Sequence, residues 1–249
     1  MAVPNFQLFT SLRYDPLLTS LPINTELWDK ENEGPSPFYI LPFHRDRMLQ
    51  SAEHFGWIEA ADAIRGPVGF AHLLKKLKEV INTQSPDSLR VRVLLSNDGL
   101  IAVESSPAAP VTEANLYPKR IPPPKAMTQM KVSPRTGGAL TVGDGDAVHG
   151  DPPMVEAWEV IPDTVWTKPS PYTSFKTTNR DMYTAARERA GIKDLKEKKE
   201  VLIISDKNGE IMEGSLTSVF FWREGKWTTP PVSSGGQIGT TRRWALEKG

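Results

Sequence analysis

The sequence predicts an α+β fold in two domains, and three features of its patterning predict it. Alternation of apolar and polar side chains recurs in both halves around short glycine-containing turns. Between these strand-like runs lie segments whose apolar residues repeat at helical spacing. A proline- and serine-rich linker, Lys168-Pro169-Ser170-Pro171, separates a longer N-terminal part from a shorter C-terminal one.

Taken in order, residues 6–14 alternate and read as a strand ending at Asp15-Pro16. A proline-punctuated loop follows to about Pro37. Residues 38–41 are expected to form a short strand, which Pro42 separates from the next element. Met48, Leu49, Ala52 and Phe55 fall at helical spacing and predict a helix that stops near Gly56. A second helix is predicted by the stripe Phe70, Leu73, Leu74, Leu77, Val80 and Ile81, with Lys75, Lys76, Lys78 and Glu79 on its solvated face. Residues 89–95 and 100–104 flank Ser96-Asn97-Asp98-Gly99 as a β-hairpin.

From Ser105 to about Pro153, prolines and glycines predict a long irregular insertion. Its Asp144-Gly145-Asp146 run has Val155 where a calcium loop needs its twelfth-position acid, so no metal site is expected. Residues 155–167 read as a strand. Residues 181–189 predict a helix closed by Gly191, and the charge run 193–200 a solvated loop or helix end. Residues 201–204 and 210–213 form a strand–turn–strand across Asp206-Lys207-Asn208-Gly209. Residues 219–222 and 226–229 form another across Arg223-Glu224-Gly225. Residues 233–246 are a glycine-rich loop that leads into a helix.

Composition removes several function classes. With 249 residues, 39% hydrophobic and 24% charged, the chain has the make-up of an ordinary globular protein. Its 30 basic and 30 acidic residues cancel, so no electrostatic footprint for nucleic acid or an anionic membrane stands out. The absence of cysteine excludes disulfides, cysteine-ligated zinc and cysteine nucleophiles, and fits a reducing compartment. No apolar run approaches a membrane span, and Met1-Ala2-Val3-Pro4-Asn5 lacks the regions of a signal peptide. A cytoplasmic enzyme is the expectation.

Chemistry concentrates in a few places. Lys176 follows the Pro/Ser linker and opens an amphipathic segment, while Glu213 ends the second arm of a hairpin. An amine and a carboxylate delivered in this way suit the holding of a pyridoxal cofactor. Gly239-Thr240-Thr241 at a helix start offers free N–H groups, hydroxyls and the positive end of a helix dipole, which suits a phosphate. Arg47 could be a bidentate cationic partner for the same group. Read singly, Lys176 and Arg47 are also ordinary surface residues and Gly239-Thr240-Thr241 an ordinary helix cap.

Several motifs resemble the class IV (fold type IV) pyridoxal-phosphate enzymes, the family of branched-chain and D-amino-acid aminotransferases and aminodeoxychorismate lyases. They are Lys176-Thr177-Thr178-Asn179-Arg180, the run from Asp206 through Glu213-Gly214-Ser215, Gly239-Thr240-Thr241-Arg242, His44-x-x-Arg47-Met48 and Phe9-Thr10-Ser11-Leu12-Arg13. Their order spans most of the chain, and they are most similar to those of fungal aminodeoxychorismate lyases. Two departures are Ser218, where the family usually has asparagine, and the stop at Gly249, which falls some tens of residues early.

The resemblance implies a two-domain fold type IV enzyme. Residues 1–167 would be an N-terminal α+β domain carrying the insertion of about 105–153. Residues 168–249 would be a pseudobarrel-like cofactor domain, shortened relative to the family and with weakened cofactor affinity. Pyridoxal 5′-phosphate is the implied cofactor, with Lys176 carrying it covalently and moving protons. Glu213 would face the pyridine nitrogen, and Arg47, Thr240 and Thr241 the phosphate. Arg180 would bind an anionic substrate and Thr10 would deliver a proton, two features that favour a lyase. The implied reaction takes 4-amino-4-deoxychorismate to 4-aminobenzoate and pyruvate in folate precursor synthesis. A class IV aminotransferase acting on branched-chain or D-amino acids or amines, and an inactive relative, are the alternatives. The expected partners are a small amino substrate and a second copy of the chain as a homodimer, with no nucleic acid, membrane or metal.

Overall fold

The computed structural model describes residues 5–26, 36–118, 121 and 157–248. The chain divides into two compact units, one of residues 1–119, 169–181 and 235–249, the other of residues 120–168 and 182–234.

The first unit is built on an antiparallel sheet of β1 (Leu8–Tyr14), β2 (Leu89–Leu95) and β3 (Ile101–Pro107), in that order. β1 pairs with β2 from Leu8↔Leu95 to Tyr14↔Leu89. The strand period of two sends Leu8, Thr10, Leu12 and Tyr14 to one face, where all four are buried. Helices pack there: α2 (Leu41–His54), α3 (Ile58–Ile64) and α4 (Gly66–Val80), after a short α1 (Pro22–Glu26). In α4 the predicted stripe holds at Phe70, Leu73 and Leu77, continued by Ile81, each at most 2% exposed. Burial of side chains of this size stabilises by about 1.5–3 kcal/mol each. Val80 is 52% exposed, because it lies about 80° around the helix from the stripe centre. The turn of α3 was not among the predicted elements. It is joined to α4 so closely that a Cβ on Gly69 would stand 2.2 Å from the Ile64 carbonyl carbon.

The expected strand at residues 38–41 is not formed. Phe38 makes one bridge to Tyr14, and Ile40 adopts a left-handed conformation (φ 40°) that turns the chain into α2. Pro42 sits in the first helical turn, where its missing N–H has no partner to lose.

Two later segments join this unit by backbone pairing. The Phe9 amide donates to the Lys176 carbonyl (2.9 Å), and the Thr178 amide to Gln7 (2.9 Å). After α6 (Pro171–Ser174), the Thr173 hydroxyl donates to the Gly235 carbonyl at 2.7 Å. The terminal helix α8 (Thr240–Lys248) is tied to α2 by Arg243–Asp46 at 2.9 Å. The expected boundary near residue 167 is therefore one of several crossings, since 169–181 and 235–249 belong with the N-terminal sheet.

In the second unit, β4 (Glu159–Pro162) pairs in parallel with β5 (Lys199–Ile204), which pairs antiparallel with β6 (Ile211–Gly214). Tyr183 and Ala186 of α7 (Asp181–Arg189) pack on Val201, Ile203 and Met212. β7 (Phe221–Arg223) and β8 (Lys226–Thr228) form a separate hairpin. The strand expected over residues 155–167 is limited to β4 within the described residues. The charge run also divides, because Lys199 and Glu200 are strand residues and Glu200 is 4% exposed.

The expected insertion lies mostly outside the described residues, including Asp144-Gly145-Asp146. Where it is described, it contains the end of β3 and a short helix α5 (Glu113–Leu116). Among the described residues no group of acidic, histidine or cysteine side chains could hold a metal. None of the described helices is long and apolar enough to cross a membrane.

Candidate active site

In the first unit, β1, α2 and α8 bring four polar side chains together inside an apolar core. His44 and Arg47 are three residues apart on α2 and so share a face. Thr10, on the inward side of β1, lies against both. Its Oγ1 is 2.6 Å from His44 Nδ1 and accepts from Arg47 Nη2 at 2.5 Å. The other ring nitrogen of His44 is 3.3 Å from Oγ1 of Thr240, the first residue of α8. All four are buried, with Thr10 at 1% and Arg47 at 9% exposure. Burial, then the charges of Arg47 and Lys176, hold His44 well below its ordinary pKa, so the ring is neutral.

A cavity of about 310 Å³ opens beside this cluster, with walls that include Ser11, Arg13, Tyr39, His44, Thr240 and Thr241. Burial pushes the Tyr39 phenol up to about 12, against a hydrogen bond from Thr241 that lowers it, so Tyr39 stays protonated. Its hydroxyl donates to the Leu116 carbonyl at 2.5 Å. Arg13 is held by Asp15 at 2.8 Å.

Thr10 does not line this cavity, and its hydroxyl is engaged between His44 and Arg47. The cavity hydroxyl on β1 is Ser11, whose Oγ is buried and has no hydrogen-bond partner among the described residues. Strand alternation could have separated the two hydroxyls, since adjacent residues of a strand point to opposite faces.

Lys176 is fixed through its own carbonyl, which accepts from Phe9, and its Nζ stands 5.2 Å from the Phe9 ring centroid. The lowered basicity of His44 registers the charge of Lys176 nearby. Arg180 lies in the same unit, in the loop between Lys176 and α7, and is partly buried. Thr240 and Thr241 open α8 as expected, Thr240 buried and Thr241 exposed.

Glu213 belongs to the second unit, where the Tyr183 hydroxyl donates to its carboxylate at 2.5 Å. The turn that follows it is held by Glu200, which the charge run 193–200 alone would place in solvent. The Glu200 carboxylate accepts from the Ser215 hydroxyl (2.7 Å), the Thr217 hydroxyl (2.7 Å) and the Ser215 amide (2.9 Å). It also accepts from the amides of Leu216 and Val201. A Cβ on Gly214 would lie 2.8 Å from Glu200 Oε2 and 2.5 Å from Thr217 Oγ1, which explains a glycine after Glu213. The signal for Glu200 was available as a single acid directly before the apolar run of β5.

Comparison with known proteins agrees with this architecture. Residues 28–249 match the family described as amino-transferase class IV. The aminodeoxychorismate lyase of Saccharomyces cerevisiae is 28% identical over 189 residues, a match covering 70% of this chain. The chain spans 46% of that relative's length. Among solved structures, a candidate amino-acid aminotransferase from Mesorhizobium loti aligns with a TM-score of 0.59 and 19% identity. The alignment covers 98% of this chain and 84% of that one. A branched-chain amino acid aminotransferase from Thermobaculum terrenum, in its PLP-form, aligns with a TM-score of 0.56 and 14% identity, covering 97% of this chain and 63% of that one. The structural likenesses give the fold, and the family match spans most of the sequence: the chain belongs to amino-transferase class IV.

Proposed function

We propose that this protein is a pyridoxal-phosphate-dependent lyase that converts 4-amino-4-deoxychorismate to 4-aminobenzoate and pyruvate, a step toward folate. The observation that carries the choice of reaction is its 28% identity with the yeast aminodeoxychorismate lyase over 189 residues. A homodimer is part of the same proposal.

Residue by residue, the donors suit the cofactor. Lys176 offers a primary amine, and its charge acts at the buried cluster. Arg47 and the first turn of α8, with Thr240 and Thr241, offer a cation, hydroxyls and N–H groups suited to a phosphate. The Glu213 carboxylate, oriented by Tyr183, suits a protonated pyridine nitrogen. Pyridoxal phosphate, when bound, supplies an electron sink for the pair released at the substrate carbon that bears the amine.

The side chains supply proton movement and orientation. Lys176 Nζ takes the proton from the amine-bearing ring carbon. The bond from the ring to the enolpyruvyl oxygen then breaks as the ring becomes aromatic. A hydroxyl of β1, Thr10 or Ser11 on the cavity wall (unpartnered among the described residues), hands a proton to the departing group, which leaves as pyruvate. Arg180 favours a substrate with two carboxylates.

The test is incubation of the cofactor-loaded protein with aminodeoxychorismate and no added keto acid. Equal amounts of 4-aminobenzoate and pyruvate are expected, together with a borohydride-fixed adduct mapping to Lys176. A requirement for a keto-acid acceptor would overturn the lyase in favour of an aminotransferase, the reading to which the branched-chain aminotransferase fold gives support. Absence of both turnover and adduct would mark an inactive relative.

A further inference from the structure

We propose that His44 is a positioning residue in a one-way hydrogen-bond relay, Arg47 to Thr10 to His44 to Thr240, which points the Thr240 hydroxyl into the cavity. As a statement about anion binding, it rests on the reading that this cavity receives the cofactor's phosphate; as a statement about the proton on His44, it does not.

The direction of the relay follows from what each group can donate. A guanidinium has donors only, so Thr10 Oγ1 accepts from Arg47 Nη2. The Thr10 hydroxyl is 1% exposed, and the acceptor it meets among the described residues is His44 Nδ1 at 2.6 Å. A hydroxyl proton left without an acceptor in such a site is costly, so Thr10 donates to Nδ1. A nitrogen that accepts carries no proton, and a neutral imidazole then bears its hydrogen on Nε2. That nitrogen lies 3.3 Å from Thr240 Oγ1 and donates to it.

Thr240 has by then accepted its bond, and its own O–H remains for the cavity that it lines. An imidazolium would instead aim Nδ1–H at Thr10 and strand the Thr10 proton, beside the cations Arg47 and Lys176. Because each donor is polarised by the one before it, the Arg47 charge strengthens the Thr240 hydroxyl as a donor toward an anion.

Two measurements on the full chain test this. In a ¹⁵N-labelled protein at neutral pH, the long-range ¹H–¹⁵N pattern of His44, assigned by its loss in H44F, is expected to be that of the neutral Nε2–H tautomer. A neutral Nδ1–H pattern, or an imidazolium, overturns the relay, and this result is independent of any ligand. In titrations with pyridoxal phosphate, H44F and T240V are each expected to raise Kd about tenfold, and the double variant also about tenfold, because either change breaks the same chain. A multiplied loss of about a hundredfold overturns the coupling.

H44Q and H44N keep the experiment decisive should H44F fail to fold. Glutamine places a donor near the Nε2 position and is expected to restore most of the affinity, whereas asparagine is not. Rescue by asparagine alone overturns the assignment. A wild-type chain that binds no pyridoxal phosphate sinks the proposed function and leaves the tautomer measurement to decide the relay.

Discussion

Glu200 shows how one buried side chain can fix the backbone around another. Its carboxylate gathers the amides and hydroxyls of residues 215–217, which fixes the backbone leaving Glu213. Hydrogen bonds to a charged acceptor in a buried place are among the stronger ones, and removing the acceptor leaves several donors without partners. Glu200→Ala is therefore expected to destabilise the second unit by about 3 kcal/mol, with Glu200→Gln intermediate. Urea unfolding would measure the loss, and the Leu216 amide should lose hydrogen-exchange protection in the same order. Unchanged protection at Leu216 would contradict a clamping role.

At the scale of elements, the positions of α2 and α4 depend on how tightly the chain turns between helices. Gly69 lets the first turn of α4 lie on the end of α3, where a methyl group would be 2.2 Å from the Ile64 carbonyl carbon and 2.6 Å from its Cα. Both are backbone atoms and cannot rotate away. Gly69→Ala is thus expected to cost about 3 kcal/mol, although alanine has the better helix propensity by about 1 kcal/mol. A urea midpoint at or above that of the wild type would refute the packing argument. The consequence reaches the site, because α2 carries His44 and Arg47, and α3 packs between it and α4.

For the molecule as a whole, the buried ionisable groups set the response to acid. Burial alone would raise the carboxyls of Asp15 and Asp163, but the Leu17 amide, Arg13 and Ser88 hold the first, and chiefly Arg189 the second, below the ordinary value of 3.8. Their contribution is present above that value and lost as pH falls below it. His44 acts sooner. Its folded pKa lies well below 6.5, so as pH falls through 6.5 the unfolded chain binds a proton that the folded chain refuses. Stability should begin to decline near pH 6.5 and continue down to the folded pKa of His44. His44→Gln is expected to flatten the upper part of this decline and leave the carboxylate part, as urea unfolding across pH would record. A wild-type profile flat from pH 6.5 to 4.5 would show that His44 takes up its proton in the folded state.

The amino-acid sequence by itself determined most of the strands, the strong α4 stripe, the hairpins and the short motifs around Lys176, Glu213, Arg47 and Thr240. Those features are local: they follow from period, turn chemistry and spacing within a few residues. The tertiary structure alone decided which residues meet. It turned residues 38–41 from strand to helix entry, because the pairing of Phe38 ends at Tyr14 and Pro42 suits a first helical turn. It set the Thr10 hydroxyl between His44 and Arg47 and Ser11 on the cavity wall. It also carried residues 169–181 and 235–249 back to the first sheet and buried Glu200 under the turn after Glu213. These outcomes depend on contacts between residues far apart in the chain, where a one-dimensional pattern has no term for the partner.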